Sequence, residues 1–350
     1  MKLKNVIQLL LLATVIMFTA PSCVKEGPMG LPGENGTNGT NGTDGADGSV
    51  KCLACHSGTN MSQKSAEFAM SAHSSGAIAV DYAGGRAGCA RCHSHEGFVG
   101  FVELGINDLP ITNPSAWECS TCHGIHKTFE GVDYALRINA PVVPVAAVNG
   151  TMDLKGGSNL CGTCHQSRTA EPGTEKPGTS YTLSVRTGPH HGPQGNLVFG
   201  NGFAEIPGSV AYPTKGTSDH LTKTGGSCVG CHMATFTAKQ GGHSYIPSVA
   251  KCNSCHEGTD ITDYNYGGIQ SDTHAKLVQL RDKLIELGAM KKTTVDGVDT
   301  YAPVDKKSVP MVQAQAVFNY FGIEEDRSLG VHNPKYVKAL LVNTLEALNK

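Results

Sequence analysis

Cys52-Leu53-Ala54-Cys55-His56 opens a series of six stretches with one pattern: two cysteines separated by two residues and followed directly by a histidine. The others begin at Cys89, Cys119, Cys161, Cys228 and Cys252 and end in His93, His123, His165, His232 and His256. This pattern is the attachment signature of c-type haem. Two thiols at this spacing can each form a thioether to a haem vinyl group, which pairs Cys52 with Cys55, Cys89 with Cys92, Cys119 with Cys122, Cys161 with Cys164, Cys228 with Cys231 and Cys252 with Cys255. The histidine that follows is then held against the iron as its proximal ligand. A structural zinc site does not require a histidine after every second cysteine. A thioredoxin-like redox pair occurs once, and a disulfide framework does not repeat one short spacing six times. Twelve of the 13 cysteines lie in the motifs, and only Cys23 is left over. Six motifs imply six covalently bound haems c.

Composition fits that reading. Of 350 residues only 39% are hydrophobic and 6% aromatic, with 43 glycines and 17 prolines. Such a chain buries apolar surface poorly unaided, and six apolar macrocycles can supply the missing interior. Successive first cysteines lie 37, 30, 42, 67 and 24 residues apart, too irregular for a solenoid. Glycine and proline interrupt nearly every segment, so the expected fold is mainly α with much irregular loop, built around a haem stack, with little or no β-sheet. The formal charge of −2 argues against a nucleic-acid partner, which needs a basic face.

The chain divides by character. Residues 1–22 read as an export signal, with Lys2 and Lys4 before the apolar run from Val6 to Phe18. Ala20-Pro21-Ser22-Cys23 resembles a relaxed bacterial lipobox, which makes Cys23 the expected lipidation site and the protein an exported outer-membrane lipoprotein. Residues 23–48 form the lipidated N-terminus and a Gly-X-Y tract with glycine at every third position from Gly27 to Gly48. With little proline after Pro32, this tract is expected to act as an extended tether. Residues 49–265 form the haem-binding part and 266–350 a helical part that packs on it. Leu277, Leu280, Leu284 and Leu287 mark one helix there, and a second runs from Pro310 through Phe318. A third is capped by Asn333 with Pro334 in its first turn, and carries Val337, Leu340, Leu341, Leu345 and Leu348 on one face.

Nine histidines lie outside the motifs: His73, His95, His126, His190, His191, His220, His243, His274 and His332. Neutral imidazole is a good iron ligand, and six haems closed by a second histidine would use six of them. The region from residue 50 to the end resembles bacterial multihaem c-type cytochromes. That group includes extracellular electron carriers and, more distantly, multihaem nitrite and hydroxylamine enzymes. The resemblance rests most on Cys119 to His126, Pro189-His190-His191-Gly192-Pro193-Gln194, Gly241-Gly242-His243 and Gly330-Val331-His332-Asn333-Pro334. In such proteins a histidine in these contexts is commonly the distal ligand of a haem bound elsewhere in the chain. The resemblance therefore implies His73, His126, His190, His220, His243 and His332 as distal ligands, with His191 the substitute for His190 and His95 and His274 in reserve.

A bis-histidine set leaves no open iron for a substrate, so the expected role is electron transfer at the cell envelope or surface. The partners would be other redox proteins or an external electron donor or acceptor, with the lipid anchor as the membrane contact. The alternative is a reductase acting on nitrite, hydroxylamine or a sulfur oxyanion at one open haem. The Cys-x-x-Cys-Lys motif of many related nitrite reductases is missing, so no catalytic residue is named.

Overall fold

The computed structural model describes residues 56, 58–125, 135–256 and 260–350. Cys52, Cys55 and His126, and the signal, Cys23 and tether readings, lie outside the described residues. The chain separates into two units, 1–48 and 49–350, and the described residues all belong to the second.

After helix α1 (Gly58–Ala69) come the short α2 (Ala90–His93) and α3 (His95–Leu104). They are joined at Ser94, whose hydroxyl accepts from the Gly97 N–H and caps α3. Gly97 sits so close to α2 that a Cβ there would lie 2.3 Å from the Ala90 backbone, so only glycine lets α3 stack on the motif-bearing turn α2. Next are α4 (Cys119–Cys122), α5 (Ser158–Cys164), strand β1 (Ser180–Thr182), α6 (Gln194–Phe199), α7 (Ser227–His232) and α8 (Val249–Asn253). Every described motif thus lies on one short helix or at its end. In four of them the histidine N–H donates to the carbonyl of the first cysteine: His93 to Cys89, His123 to Cys119, His165 to Cys161 and His256 to Cys252, at 2.9–3.2 Å. That single closed turn puts the two cysteines, three positions apart, on one side.

The C-terminal part is regular. Helix α9 (Ile269–Glu286) leads into an antiparallel hairpin of β2 (Met290–Val295) and β3 (Val298–Pro303). Asp296 and Gly297 both take positive φ at its turn. Strand β4 (Ser308–Pro310) then pairs antiparallel with β1, and α10 (Met311–Asp326) and α11 (Pro334–Leu348) follow. The Asn333 side chain accepts from the Tyr336 N–H at 3.3 Å, with Pro334 in the first turn. Leu277, Leu280, Leu284, Val317, Phe318, Ile323, Val337, Leu340 and Leu341 close a core that also takes in Leu183, Leu197 and Phe203 from the middle of the chain. The molecule is therefore mainly helical and loop-rich, with two two-stranded sheets among the described residues. Composition averaged over the chain hides one thing: residues 266–350 are richer in large aliphatic side chains than 49–265, and most of the core comes from them. Among the described residues no helix is long and apolar enough to cross a membrane.

Candidate haem-binding site

Each motif histidine beyond His56 has a second histidine facing it. Ring centroids lie 6.0 Å apart for His93 and His190, 6.1 Å for His165 and His73, and 6.3 Å for His123 and His243, His232 and His332, and His256 and His220. These five pairs join five motifs to five non-motif histidines without repetition. The spacing has a chemical meaning. A metal bonded by imidazole nitrogen on two opposite sides, at about 2 Å each, with each ring centre about 1.1 Å behind its nitrogen, holds the centroids roughly 6 Å apart. Direct packing of two imidazoles does not require that value five times over.

The hydrogen bonds orient the rings for that role. Where Nδ1 is engaged, Nε2 is left to face a metal. His165 Nδ1 meets Gln194 Oε1 at 3.1 Å, His220 Nδ1 meets the Val331 carbonyl at 2.6 Å, His232 Nδ1 meets the Tyr245 carbonyl at 2.7 Å, and His332 Nδ1 meets Asp326 Oδ1 at 2.6 Å. Burial holds His73 and His190 in the neutral form, each with its pKa pushed down to about 4. It also lowers the pKa of His93, His232 and His243. Burial disfavours the charged form of His332 too, but the Asp326 carboxylate outweighs it and raises that pKa.

The second motif shows how well the residues fit a haem. A cavity of about 520 Å³ lies against Cys89, Cys92 and His93, bounded by Phe101, Val143, Pro144 and Arg168. Around this motif three buried nitrogens have no hydrogen-bond partner: Arg91 Nε, His93 Nδ1 and His190 Nε2. Unsatisfied buried polar atoms are rare and need an explanation. An iron held between His93 and His190 would give His190 Nε2 a partner, and the propionates of a macrocycle would suit Arg91 and Arg168. Among the described residues no three His, Cys, Asp or Glu side chains converge as a structural zinc site requires.

The motifs also touch one another. The Cys92 and Cys164 thiols meet, with Cys92 Sγ 4.0 Å from the Thr163 carbonyl and Cys164 Sγ 4.0 Å from that of Arg91. The Cys161 and Cys228 thiols meet likewise, beside the Ser158 hydroxyl, which donates to the Gly226 carbonyl and accepts from the Val229 N–H at 3.2 Å. Cys122 lies near both Cys161 and Cys164, and Cys231 near Cys252 and Cys255. The fourth motif is therefore a hub that touches the second and fifth and lies near the third, and the fifth lies near the sixth. Tyr245 sits at this junction, with its ring 5.1 Å from that of His73 and 6.1 Å from that of His243.

The remaining histidines lie elsewhere. His95 Nδ1 bonds Thr121 Oγ1 at 2.7 Å, exposed His191 pairs with Glu325 at 2.9 Å, and His274 lines a separate cavity with Arg281 and Tyr301. The sequence reading missed Asp326, Gln194 and Tyr245. Of these only Gln194, in the Pro-His-His-Gly-Pro-Gln run, lay within a stretch that the sequence singles out.

Short turns carrying Cys-x-x-Cys-His, gathered under facing histidines, make this the fold of a multihaem c-type cytochrome. The chain is similar in structure to the outer cell wall cytochrome OcwA, with a TM-score of 0.52 at 18% identity over 81% of this chain and 50% of that one. In sequence it is similar to the C-type polyheme cytochrome OmcB of two Geobacter sulfurreducens strains, DL-1/KN400 and ATCC 51573/DSM 12127/PCA. Each is 25% identical over 224 residues, covering 50% of this chain and 29% of the relative. The chain thus spans less than a third of the length of those relatives. No protein-family model matches it.

Proposed function

We propose that this protein carries electrons through six covalently bound haems c, each held by a histidine on both faces. The observation that supports the reading most is the set of five facing pairs at 6.0–6.3 Å, each joining a motif histidine to a histidine outside the motifs. In this reading the axial pairs are His93 with His190, His123 with His243, His165 with His73, His232 with His332 and His256 with His220. His126 is the proposed partner of His56. The bound haem supplies a one-electron iron couple. The chain's own work is to anchor each macrocycle by two thioethers, to occupy both axial positions so that no substrate reaches the metal, and to bring neighbouring motifs into contact.

The mature protein is expected to carry six haems by mass, to show an entirely low-spin ferric spectrum by electron paramagnetic resonance, and to leave carbon monoxide unbound when reduced. Five or fewer haems in fully matured protein, or a high-spin component, would overturn the reading.

We place the protein at the cell envelope, on a lipid attached to Cys23 with residues 27–48 as tether, exchanging electrons with other redox proteins or an external donor or acceptor. The support is the lipobox-like sequence before Cys23 and the similarity to an outer cell wall cytochrome. A lipid anchor supplies the apolar binding on its own. The Cys23→Ser variant is therefore expected to leave the membrane fraction for the soluble one, as read by fractionation and haem staining; retention on membranes would refute the anchor.

A further inference from the structure

Asp326 ends α10, and its side chain has no exposed surface. Three donors converge on this carboxylate. His332 Nδ1 lies 2.6 Å from Oδ1, and Ser328 gives Oδ2 both its hydroxyl and its N–H, the latter at 3.3 Å. Among the described residues no lysine or arginine pairs with it; Arg327, the next residue, reaches Glu325 instead at 3.5 Å. A buried carboxylate without a cation is costly unless something positive shares its site. Here the one candidate is the imidazole and whatever that imidazole binds.

Other histidines are held differently. His165, His220 and His232, the last facing His332 itself, direct Nδ1 to neutral acceptors, the Gln194 side-chain oxygen and the Val331 and Tyr245 carbonyls. His243 does approach a buried carboxylate, Glu67, but its Nδ1 is 3.6 Å away, beyond a good hydrogen bond. Glu67 is also shared with Lys64 at 3.4 Å and Gln63 at 2.9 Å. The His232–His332 pair therefore has a short carboxylate–imidazole bond that no lysine or arginine shares.

We infer that Asp326 lowers the reduction potential of the haem on Cys228 and Cys231, below that of a haem whose imidazoles meet only neutral acceptors. The inference rests on the reading of His232 and His332 as its axial pair. Two effects act in the same direction. A carboxylate accepting from Nδ1–H makes the imidazole a stronger donor to the metal. A full negative charge in a dry site also favours the ferric state, which carries one more positive charge than the ferrous. Because Cys228 touches Cys161 on one side and Cys231 lies near Cys252 on the other, this low step lies inside the chain of motifs and not at an end.

The test is a spectroelectrochemical titration of the haem-loaded full chain. In Asp326→Asn, which keeps side-chain size, one haem is expected to move upward while the spectrum stays low-spin. Its reduction equilibrium should shift tenfold or more, which is about 59 mV for one electron. Ser328→Ala removes the hydroxyl donor from Oδ2 and keeps the backbone one, leaves more charge on the imidazole side, and is expected to move the same haem downward; it also serves if Asp326→Asn matures poorly. Glu67→Gln is expected to move its own haem less. The upward shift should vanish when Asp326→Asn is combined with His332→Ala. No shift in Asp326→Asn, or an equal shift of several haems, would overturn the inference while leaving the axial pairs intact. An unchanged low-spin spectrum in His332→Ala alone would overturn the axial pair, and the inference with it.

Discussion

In the His332→Ala variant, about one haem in six is expected to become high-spin and to bind carbon monoxide when reduced, against none in the wild type. Axial ligand identity is a main lever on haem iron, and the fold leaves no ready substitute at this position. His332 sits between α10 and α11, fixed by the Asp326 bond on one side and by the Asn333 cap of α11 on the other. Both helices are anchored through the buried Phe318, Ile323, Val337 and Leu341. The spare histidines are committed elsewhere: His95 to Thr121 and His191 to Glu325. Removal of the imidazole therefore opens an iron that the chain cannot reclose. The same ligand exchange should raise the potential of that haem. An unchanged spectrum would strike His332 from the ligand set and bring His95 or His274 back into consideration. A high-spin haem already present in the wild type would instead favour a reductase.

The double substitution Cys161→Ala with Cys164→Ala is expected to have the largest effect on electron flow. It removes one haem, and with it the motif that touches the second and fifth and lies near the third. The second motif, whose Cys92 meets Cys164, then loses its contact with the fifth and sixth. In stopped-flow reduction of the five-haem variant, a new slow phase should appear, because sites cut off from their neighbours must equilibrate through solvent or protein collisions, which specific docking slows well below diffusion. The same substitution at Cys252 and Cys255, at the end of the series, should remove a haem without creating that phase. A single phase at the wild-type rate would show that the fourth motif is not the hub of conduction.

Much of this was legible in the chain. The six motifs announce themselves because thioether chemistry fixes residue type and spacing together. The three C-terminal helices announce themselves because Leu277, Leu280 and Leu284, or Val337, Leu340 and Leu341, recur with the helical period. Which histidine faces which motif was not legible. His73 precedes the second motif by 16 residues, yet it stands against His165 of the fourth. His220 precedes the fifth by 8, yet it stands against His256 of the sixth. Facing pairs of this kind are set by tertiary packing, and no local periodicity encodes them. The β2–β3 hairpin did leave a trace, the Asp296-Gly297 pair between β-branched runs, which sets a two-residue turn. Asp326 left none beyond its distance from His332, since a buried acid at a helix end looks in sequence like any acidic residue there.

The facing pairs also bear on how the chain resists being pulled apart. Four of them join positions separated by roughly a hundred residues, and in each case the joining element would be a metal bonded from both sides. A covalent bridge closing a loop of about that length takes on the order of 4–5 kcal/mol of configurational freedom from the denatured chain. These loops are not nested like hairpins. Residues 73 to 165, 93 to 190 and 123 to 243 overlap, so the chain is laced, and releasing one crossing leaves the next still holding the same segment. With those irons in place, a polypeptide poor in large aliphatic side chains over residues 49–265 would gain the topology of a multiply cross-linked protein without a disulfide among its described cysteines. Its endurance would be a property of its irons as much as of its sequence.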